Sequence, residues 1–427
     1  MINPYTISAV YGEKLYGRQR FINDILNNKE RMILILGSRR IGKTSLLKQI
    51  EYVADSSYIA IYLPLDSIYS PDNFTKMLGV SFILRRKSLK QIGLDIEHFR
   101  DENLFHNLMK LDESLQTKNL RLFILCDEAE QLVNFDEVFL KEIHEFFGHS
   151  TQNIYLILAA SQGIYKLHDI GDAFLHGIPE IILSRLTDDE SANLIKQTKL
   201  TESVSVSDES ISKIQSLTDN HPFLIQCLCN ILYDDGRLSD VTEDSLLETF
   251  ERFRLSWVFE DLYQLLSSEQ KQILLQLPEE QPISVRELCE NMKLPLGETE
   301  VMLDNLTKLC YIKKTDGKYQ ISNYFGKRWL NLNRDSLKFT LTGEYITPSE
   351  QLRVLQAIDE VGIASIYDIY ISSYVALYKI RHIVDDFTKE GFIKKDDEYI
   401  LDGRRVGYYS LTREGKARMF ELDRSVF

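Results

Sequence analysis

Five short, continuous runs of apolar residues recur along the first half of the chain, and segments with a helical pattern separate them. An uninterrupted apolar run is typical of a strand that is covered on both faces, as in a parallel sheet. Helical segments between such strands provide the crossover connections that parallel strands need. The pattern therefore predicts an α/β core with a five-stranded parallel sheet, whose strands are residues 32–36, 58–63, 122–126, 154–160 and 181–183.

From residue 187 the apolar pattern becomes wholly helical. Thr187 and Glu190 have the spacing of a capping box at the start of one helix, and Pro222 suits the first turn of another. We therefore predict a core over residues 1–186 and an α-helical lid over residues 187–264.

The last third of the chain contains an internal repeat. Residues 304–316 align without a gap on residues 385–397, and in each copy a helix is followed by an aromatic residue, an isoleucine and two lysines. A turn and a second strand come next. Helices followed by a β-ribbon are the winged-helix arrangement, and the second ribbon resembles the wing of bacterial winged-helix regulators. Two winged-helix (α+β) domains are predicted, at residues 265–335 and 336–427.

A phosphate-binding pattern follows the first predicted strand. The chain reads G-x-x-x-x-G-K-T from Gly37 through Gly42 to Thr44. The two glycines let backbone N–H groups turn towards a phosphate, and the following helix adds the positive end of its dipole. Lys43 supplies a charge to the β- and γ-phosphates, and the Thr44 hydroxyl is placed to bind Mg²⁺. The pattern and its flanks predict a P-loop NTPase core that binds ATP with Mg²⁺.

Two further positions of this segment belong to the candidate nucleotide-binding set. Arg40, like Arg39, lies in the variable part of the loop, where it contacts a phosphate, reaches a neighbouring subunit or is simply solvated. Ser45 directly follows the predicted magnesium ligand.

Two acidic residues end the third predicted strand. Asp127 and Glu128 follow five apolar residues, and carboxylates at such an edge are costly unless a metal or water compensates them. We predict that Asp127 holds the Mg²⁺ shell and that Glu128 is the general base.

The fourth run ends in Ser161 and Gln162, which either contact the γ-phosphate and orient the attacking water or merely cap the strand. With Lys43 and Glu128 these residues form the candidate catalytic set.

These motifs together resemble those of prokaryotic STAND ATPases and of AAA+ proteins of the origin-recognition type. The resemblance implies that the segment with Tyr16 and Arg18 lies beside the adenine. It also implies that His221 and Pro222 touch the nucleotide from the lid, although His221 has the alternative role of a helix cap or core imidazole. The segments that carry the resemblance are residues 3–5, 15–19, 37–45, 126–128 and 217–226.

One element of AAA+ rings is missing from the pattern. Residues 163–183 contain no arginine and offer only Lys166, His168 and His176 at the place of an arginine finger. Such a finger contributes about 10³ to 10⁵ in rate, so slow hydrolysis is expected. Arg185 follows the last core strand, and we assign it a structural salt bridge.

Composition narrows the class of protein. The 427 residues are 44% hydrophobic and 27% charged, typical of an ordinary globular protein. No apolar run approaches the roughly 18 to 20 residues of a membrane span, and the first residues lack the pattern of a secretory signal. The five cysteines form no C-x-x-C pair and indicate free thiols of a reducing cytoplasm. A cytoplasmic protein without membrane contact is expected.

The charge is uneven, which bears on nucleic-acid binding. Residues 1–264 carry 27 basic and 39 acidic residues, whereas residues 265–427 carry 23 and 25, within a net charge of −14. In the first repeat the predicted recognition helix is acidic, with Glu298, Glu300 and Asp304. In the second repeat the candidate contacts to double-stranded DNA are basic side chains of the helix and the ribbon tip, namely Lys379, Arg381, Arg404 and Arg405.

Two functions remain open from the sequence. The first is an ATP-binding, slowly hydrolysing switch that couples its nucleotide state to tandem winged helices in contact with DNA. The second is a signalling or defence ATPase whose winged helices bind a partner protein and which forms a homo-oligomer with ATP. A metabolic kinase would leave about 160 residues of winged helix unexplained.

Overall fold

The computed structural model contains two compact units, Met1–Asn331 and Leu332–Phe427. Among the described residues, no helix combines the length and the apolar character that a membrane crossing requires. The described residues are 3–55, 57–91, 93–94, 104–167, 174–197, 204–253, 255–278, 281–292, 294–342, 348–373, 375, 377–401 and 404–426.

A five-stranded sheet forms the centre of the first unit, and its order is β2-β3-β4-β1-β5. Every neighbouring pair is parallel, so the predicted α/β fold class is confirmed. The strands are β1 (Met32–Leu36), β2 (Tyr58–Pro64), β3 (Arg121–Asp127), β4 (Ile154–Ala160) and β5 (Glu180–Ile182).

Helices cover both faces of this sheet. Leu34 and Leu36 of β1 belong to one apolar layer, whereas Ile33 and Ile35 belong to the opposite layer. Because successive side chains of a strand point to opposite faces, two covered faces require an apolar residue at every position. The core helices are α1 (Gln19–Leu26), α2 (Lys43–Tyr52), α3 (Pro71–Leu84), α4 (Arg86–Gln91), α5 (Leu104–Thr117) and α6 (Glu137–Glu145).

A layer of helices follows the sheet in the chain. The Thr187 hydroxyl accepts the N–H of Glu190 and the Glu190 carboxylate accepts the N–H of Thr187, so the capping box forms as predicted. Pro222 occupies the first turn of its helix. The helices are α7 (Asp188–Ile195), α8 (Asp208–Thr218), α9 (Pro222–Asp234), α10 (Glu243–Arg252) and α11 (Trp257–Gln264).

The remainder of the first unit is a small α+β part that shares its core with these helices. Phe325 stacks on Phe250 with ring centroids 4.3 Å apart, and it belongs to the apolar cluster of the lid helices. Three strands form a sheet of order β6-β8-β7. The elements are α12 (Ser268–Gln276), β6 (Ile283–Ser284), α13 (Val285–Met292), α14 (Leu296–Lys308), β7 (Ile312–Thr315), β8 (Lys318–Ile321) and α15 (Tyr324–Thr342), the last of which continues past the end of this unit at Asn331.

The second unit repeats this order of elements around a core of its own. Its three strands have the order β10-β11-β9, and Ile358, Val384 and Ile393 are among the buried residues of its cluster. The elements are α16 (Pro348–Val361), β9 (Ala364–Ser365), α17 (Ile366–Ser373), α18 (Leu377–Lys389), β10 (Ile393–Leu401), β11 (Arg404–Leu411) and α19 (Arg413–Val426).

Candidate functional site

The loop between β1 and α2 needs both of its glycines, for different reasons. A Cβ atom at Gly37 would lie 2.8 Å from Cγ2 of Ile41 and 3.0 Å from the carbonyl oxygen of Leu183, so close packing excludes a side chain. Gly42 has open space around it but a φ of +105°, which side chains disfavour. The loop therefore brings its backbone close to its neighbours and then turns sharply into α2.

The Lys43 ammonium lies inside this loop. The residue is only 7% exposed, and Nζ donates to the carbonyl oxygens of Gly37 and Ser38, at 3.0 and 3.1 Å. Burial lowers the pKa of Lys43, and the acidic Glu130 and Glu128 nearby oppose that shift. A buried ammonium whose hydrogen bonds, within the described part of the chain, go to neutral carbonyls fits an anionic phosphate group.

A cavity of about 360 Å³ lies beside the loop. This volume is within the range of small-molecule sites. One end is lined by the loop and the first turn of α2, and the other by an N-terminal segment and the lid. The predicted site residues that line the cavity are Tyr16, Arg18, Arg40, Gly42, Lys43, Thr44, Ser45, Glu128 and Pro222.

Arg18 reaches this cavity, but its guanidinium bonds to backbone. It is 3% exposed and donates to the carbonyl oxygens of Ser184 and Ile41, at 2.6 and 2.8 Å. Burial lowers the pKa of Arg18 to about 10. Arg18 therefore holds the glycine-rich loop against the segment that follows β5.

Arg40 connects the loop to the lid. Its guanidinium carbon lies 4.6 Å from the ring centroid of Phe223 and 4.2 Å from that of Trp257, and a nitrogen lies 4.0 Å from the Asp261 carboxylate. These contacts stabilise the lid against the loop through cation–π attraction. They place Arg40 at the cavity wall, with its charge directed to the lid.

Of the two acids predicted at the end of β3, Glu128 lines the cavity, and Asp127 precedes it as the last residue of the strand. Asp127 is 3% exposed, and its carboxylate accepts the Tyr62 hydroxyl at 2.8 Å and the Glu128 N–H at 3.1 Å. Hydroxyl and carboxylate oxygens are ligand types that Mg²⁺ accepts, and Thr44 and Asp127 remain the predicted pair. The backbone of Glu128 is left-handed, with a φ of 54°, a strained conformation that is common at functional sites.

A third acid, which sequence reasoning missed, connects the ends of β3 and β4. Burial and then the charge of Glu130 raise the pKa of Glu128, while the charge of Lys43 opposes the shift. Glu130 in turn accepts the Ser161 hydroxyl at 2.6 Å and its N–H at 3.2 Å. The available signal was the spacing, since Glu130 follows Glu128 by two residues. Tyr62 gave no comparable signal.

Gln162 bonds to the segment that follows the lid. Its Nε2 donates to the carbonyl oxygen of Leu265 at 2.6 Å. Neither Gln162 nor Ser161 is part of the cavity lining. Both lie at the sheet edge, as predicted, and their side chains bond to protein groups there.

His221 lines a second and smaller cavity. This cavity, of about 50 Å³, lies between the loop, the lid and the first α+β part, and Ser38 and Tyr263 also line it. His221 is 5% exposed, and neither ring nitrogen has a hydrogen-bond partner among the described residues. Burial and the positive charges of Arg185 and Arg18 lower its pKa to about 3, so the imidazole is neutral.

The basic side chains predicted to contact DNA in the second unit differ in whether they are paired or exposed. Lys379 is paired with Glu350 at 2.8 Å, and both side chains are 16% exposed, so this ammonium is not presented to a ligand. Arg381 is exposed. The side chains of Arg404, Arg405 and Tyr378 lie outside the described residues, and so does the whole of Tyr374. The same holds for two residues at the place of an arginine finger, the side chain of Lys166 and the whole of His168.

The parallel sheet, the glycine-rich loop around a buried lysine and the acids at the end of the neighbouring strand define a P-loop ATPase. A family model described as an ATPase domain predominantly from Archaea matches residues 15–228. The chain belongs to this family and is an ATPase. None of the curated proteins matches the chain in sequence.

Solved structures share this fold. The Walker-type ATPase PABY2304 of Pyrococcus abyssi is 20% identical, with a TM-score of 0.57 and coverage of 74% of this chain and 96% of that one. The ORC2 protein of Aeropyrum pernix, solved in ADPNP and ADP complexes, is 15% identical, with a TM-score of 0.50 and coverage of 79% and 98%. These similarities show the fold.

Proposed function

We propose that this protein is an ATP-dependent switch whose slow hydrolysis controls contact with double-stranded DNA. In this proposal, the nucleotide binds between the core and the lid. The first α+β part responds to the position of the lid, and the second unit contacts DNA. The observation that carries the proposal is the set of bonds that attaches the first α+β part to both the core and the lid.

Arg185, at the end of the core, is the centre of that attachment. It pairs with Asp219 of the lid at 2.5 Å, donates to the carbonyl oxygen of Cys310 at 3.1 Å and bonds to the Ser322 hydroxyl. Lys313 of β7 also lies 3.9 Å from Asp219. A movement of the lid would displace Asp219. It would therefore change the contacts that hold the first α+β part against the core and the lid.

A second connection starts at the sheet edge. Gln162 follows the strand end where a γ-phosphate sensor is expected, and its amide donates to Leu265, immediately after α11. If Gln162 turns towards a triphosphate, this bond is released. Nucleotide state would then reach the start of the first α+β part directly.

The proposed hydrolysis uses the residues at the end of β3. Thr44 and Asp127 would hold Mg²⁺, which neutralises phosphate charge when bound. Glu128 would remove a proton from the attacking water. Glu130, held by Ser161, would set the orientation of the Glu128 carboxylate. A missing arginine finger lowers the rate by about 10³ to 10⁵, which suits a switch that stays long in its ATP state.

We assign both α+β parts as winged helices because each has helices followed by two antiparallel strands in the same order. In the first, the exposed face of α14 carries Glu298, Glu300 and Asp304, which would repel phosphates. In the second, Arg381 is exposed on α18, and Arg404 and Arg405 begin β11. DNA contact is therefore proposed for the second unit alone.

Electrophoretic shift with duplex DNA tests this function. The Glu128→Gln variant should bind ATP, hydrolyse it at least about 100-fold more slowly and shift DNA differently with ATP than with ADP. Affinity should fall as salt rises from 50 to about 200 mM. Absence of any shift, or the same shift with both nucleotides, would refute the proposed coupling.

The acidic face of α14 favours a second candidate function. A STAND-type signalling ATPase would use its winged helices to bind protein and would form a homo-oligomer with ATP. Light scattering of the Glu128→Gln variant distinguishes the two. A mass that increases with ATP, without DNA binding, supports signalling, whereas a monomer in both nucleotide states argues against it.

A further inference from the structure

The cavity at the P-loop has a second end whose polar chemistry differs from that of the phosphate end. Its walls there include the apolar Leu186, Leu194 and Phe223 together with the N-terminal segment. Apolar walls suit a nucleobase and not a phosphate. Among the described residues that line the cavity, Gln226 of α9 is the one with a side-chain amide.

The orientation of this amide follows from its partners. Its Oε1 accepts the backbone N–H of Thr6 at 3.2 Å and the Nε2 of Gln197 at 3.2 Å. A backbone N–H can only donate, so the amide atom that faces Thr6 must be the oxygen. The side chain is held there because Gln226 is 7% exposed and Gln197 is 2% exposed.

The amide nitrogen of Gln226 is left for a ligand. Within the described residues, Nε2 has no hydrogen-bond partner, although the residue is more than nine-tenths buried. Nε2 is not among the side-chain atoms that are wholly removed from solvent without a partner, so it can still be reached by a ligand. The cavity therefore presents a fixed hydrogen-bond donor at its base end, and a base with an acceptor at the matching position would satisfy it.

We propose that Gln226 selects adenine over guanine by donating its amide N–H to N1 of the base. Adenine N1 carries a lone pair, whereas guanine N1 carries a hydrogen, so the same donor attracts one purine and meets a second donor in the other. This inference rests on nucleotide binding in the cavity. A site built to bond one polar group rejects an analogue that leaves that group unpaired.

The substitution Gln226→Glu tests the donor without removing the anchor. A carboxylate still accepts the N–H of Thr6 and the amide of Gln197, but it has no N–H to give to adenine N1. The same carboxylate would accept the N1–H of guanine. We expect the ratio of ATP to GTP affinity, measured by calorimetry on the full chain, to fall at least about tenfold.

A matched control is available on α2. Gln49 accepts the N–H of Gly12 at 2.6 Å, so it also anchors the N-terminal segment, but it does not line the cavity. Gln49→Glu adds the same charge near the same segment. Its ratio of ATP to GTP affinity should stay within about twofold of that of the unchanged protein.

The outcomes distinguish a failure of this inference from a failure of the proposed nucleotide binding on which it rests. If the unchanged protein binds neither ATP nor GTP, the nucleotide site is wrong and the inference fails with it. If ATP binds but the ratio is the same in Gln226→Glu as in the unchanged protein, the role of Gln226 alone is refuted. An equal ratio shift in both glutamate variants would also refute it, because charge near the segment would then be the cause.

Discussion

The two α+β parts have the same order of elements, yet they use their basic side chains differently. In the first, Lys313 lies against Asp219 of the lid and Lys308 pairs with Asp304 on its own helix. In the second, Arg381 is exposed while Lys379 is paired with Glu350. The difference at these positions indicates that the first part uses Lys313 in its contact with the lid, whereas the second keeps Arg381 on its surface. Lys314 and Lys318 of the first part are exposed as well.

The apolar cores of the two α+β parts also differ: the first is shared with the lid helices, and the second is separate. Phe325 of the first part is fully buried within the cluster of the lid helices. The second unit has a separate cluster made from its own elements. A part that shares its core with the lid cannot move without disturbing apolar contacts, so we expect it to report the state of the ATPase.

Lys43→Ala should give the largest difference between the two units, because it should affect ATP binding by the first and not DNA binding by the second. Removing the buried ammonium should weaken ATP binding at least about 100-fold, equal to about 2.7 kcal/mol, since no other side chain occupies its place in the loop. DNA affinity of the second unit without nucleotide should not change. Calorimetry with ATP and a shift assay measure the two effects.

Lys110→Ala, on the exposed face of α5, is the control for this change. It removes one positive charge from a residue that does not line the cavity, and it should leave ATP affinity unaltered. Normal ATP binding by Lys43→Ala would refute the assigned phosphate site.

Arg185→Ala should loosen the first α+β part. The variant loses the ion pair with Asp219 and two hydrogen bonds in a region where both side chains of the pair are 20% exposed. We expect a loss of about 2 to 3 kcal/mol in the free energy of unfolding of the first unit. Chemical denaturation followed by tryptophan fluorescence measures it, because Trp257 and Trp329 both lie in this unit.

Lys308→Ala gives the matched comparison, because its ion pair with Asp304 is 48% and 59% exposed. Its loss should stay below about 0.5 kcal/mol. Equal losses in both variants would contradict the special role of Arg185.

His221 should make the first unit sensitive to acid. Its pKa is about 3 in the folded protein and about 6.5 when unfolded, so below pH 6.5 only the unfolded chain takes up the proton. The stabilisation is therefore complete above pH 6.5 and is lost as the pH falls towards 3. Between pH 7 and pH 5 the free energy of unfolding should decrease by at most about 2 kcal/mol from this group.

Denaturation at both pH values should show a smaller decrease for His221→Gln. The exposed His176, changed to Gln, should leave the decrease as it is in the unchanged protein. An undiminished pH dependence in His221→Gln would show that other groups cause it.

Arg404→Ala combined with Arg405→Ala should have the smallest effect. We expect DNA affinity to fall about tenfold and the salt slope to decrease by about two. The corresponding ribbon of the first part supplies the control, Lys314→Ala with Lys318→Ala, which should change affinity less than about twofold. Similar losses in both pairs would remove the proposed difference between the two repeats.

Local patterns were enough to predict much of the core. The strands at residues 32–36 and 154–160 match β1 and β4, and the predicted last strand is displaced by one residue from β5. These elements could be predicted because apolar runs and loop glycines act over a few neighbouring residues. The P-loop and the acids at the end of β3 have the same local character.

Contacts between distant segments were beyond such patterns. Glu130 reaches Ser161, Arg185 reaches Ser322, and Gln226 reaches Thr6. Each pair is brought together by the packing of the sheet, the lid and the first α+β part, and no spacing along the chain encodes it. The salt bridge assigned to Arg185 was correctly expected, but its partner Asp219 was not.

Hydrogen exchange over residues 309–323 tests the central claim most directly, since this segment contains β7, β8 and the contacts of Arg185. ATP should increase amide exchange there in the Glu128→Gln variant and have no effect in Lys43→Ala. Protection that is the same with and without ATP, in a protein shown by calorimetry to bind it, would contradict the proposed coupling.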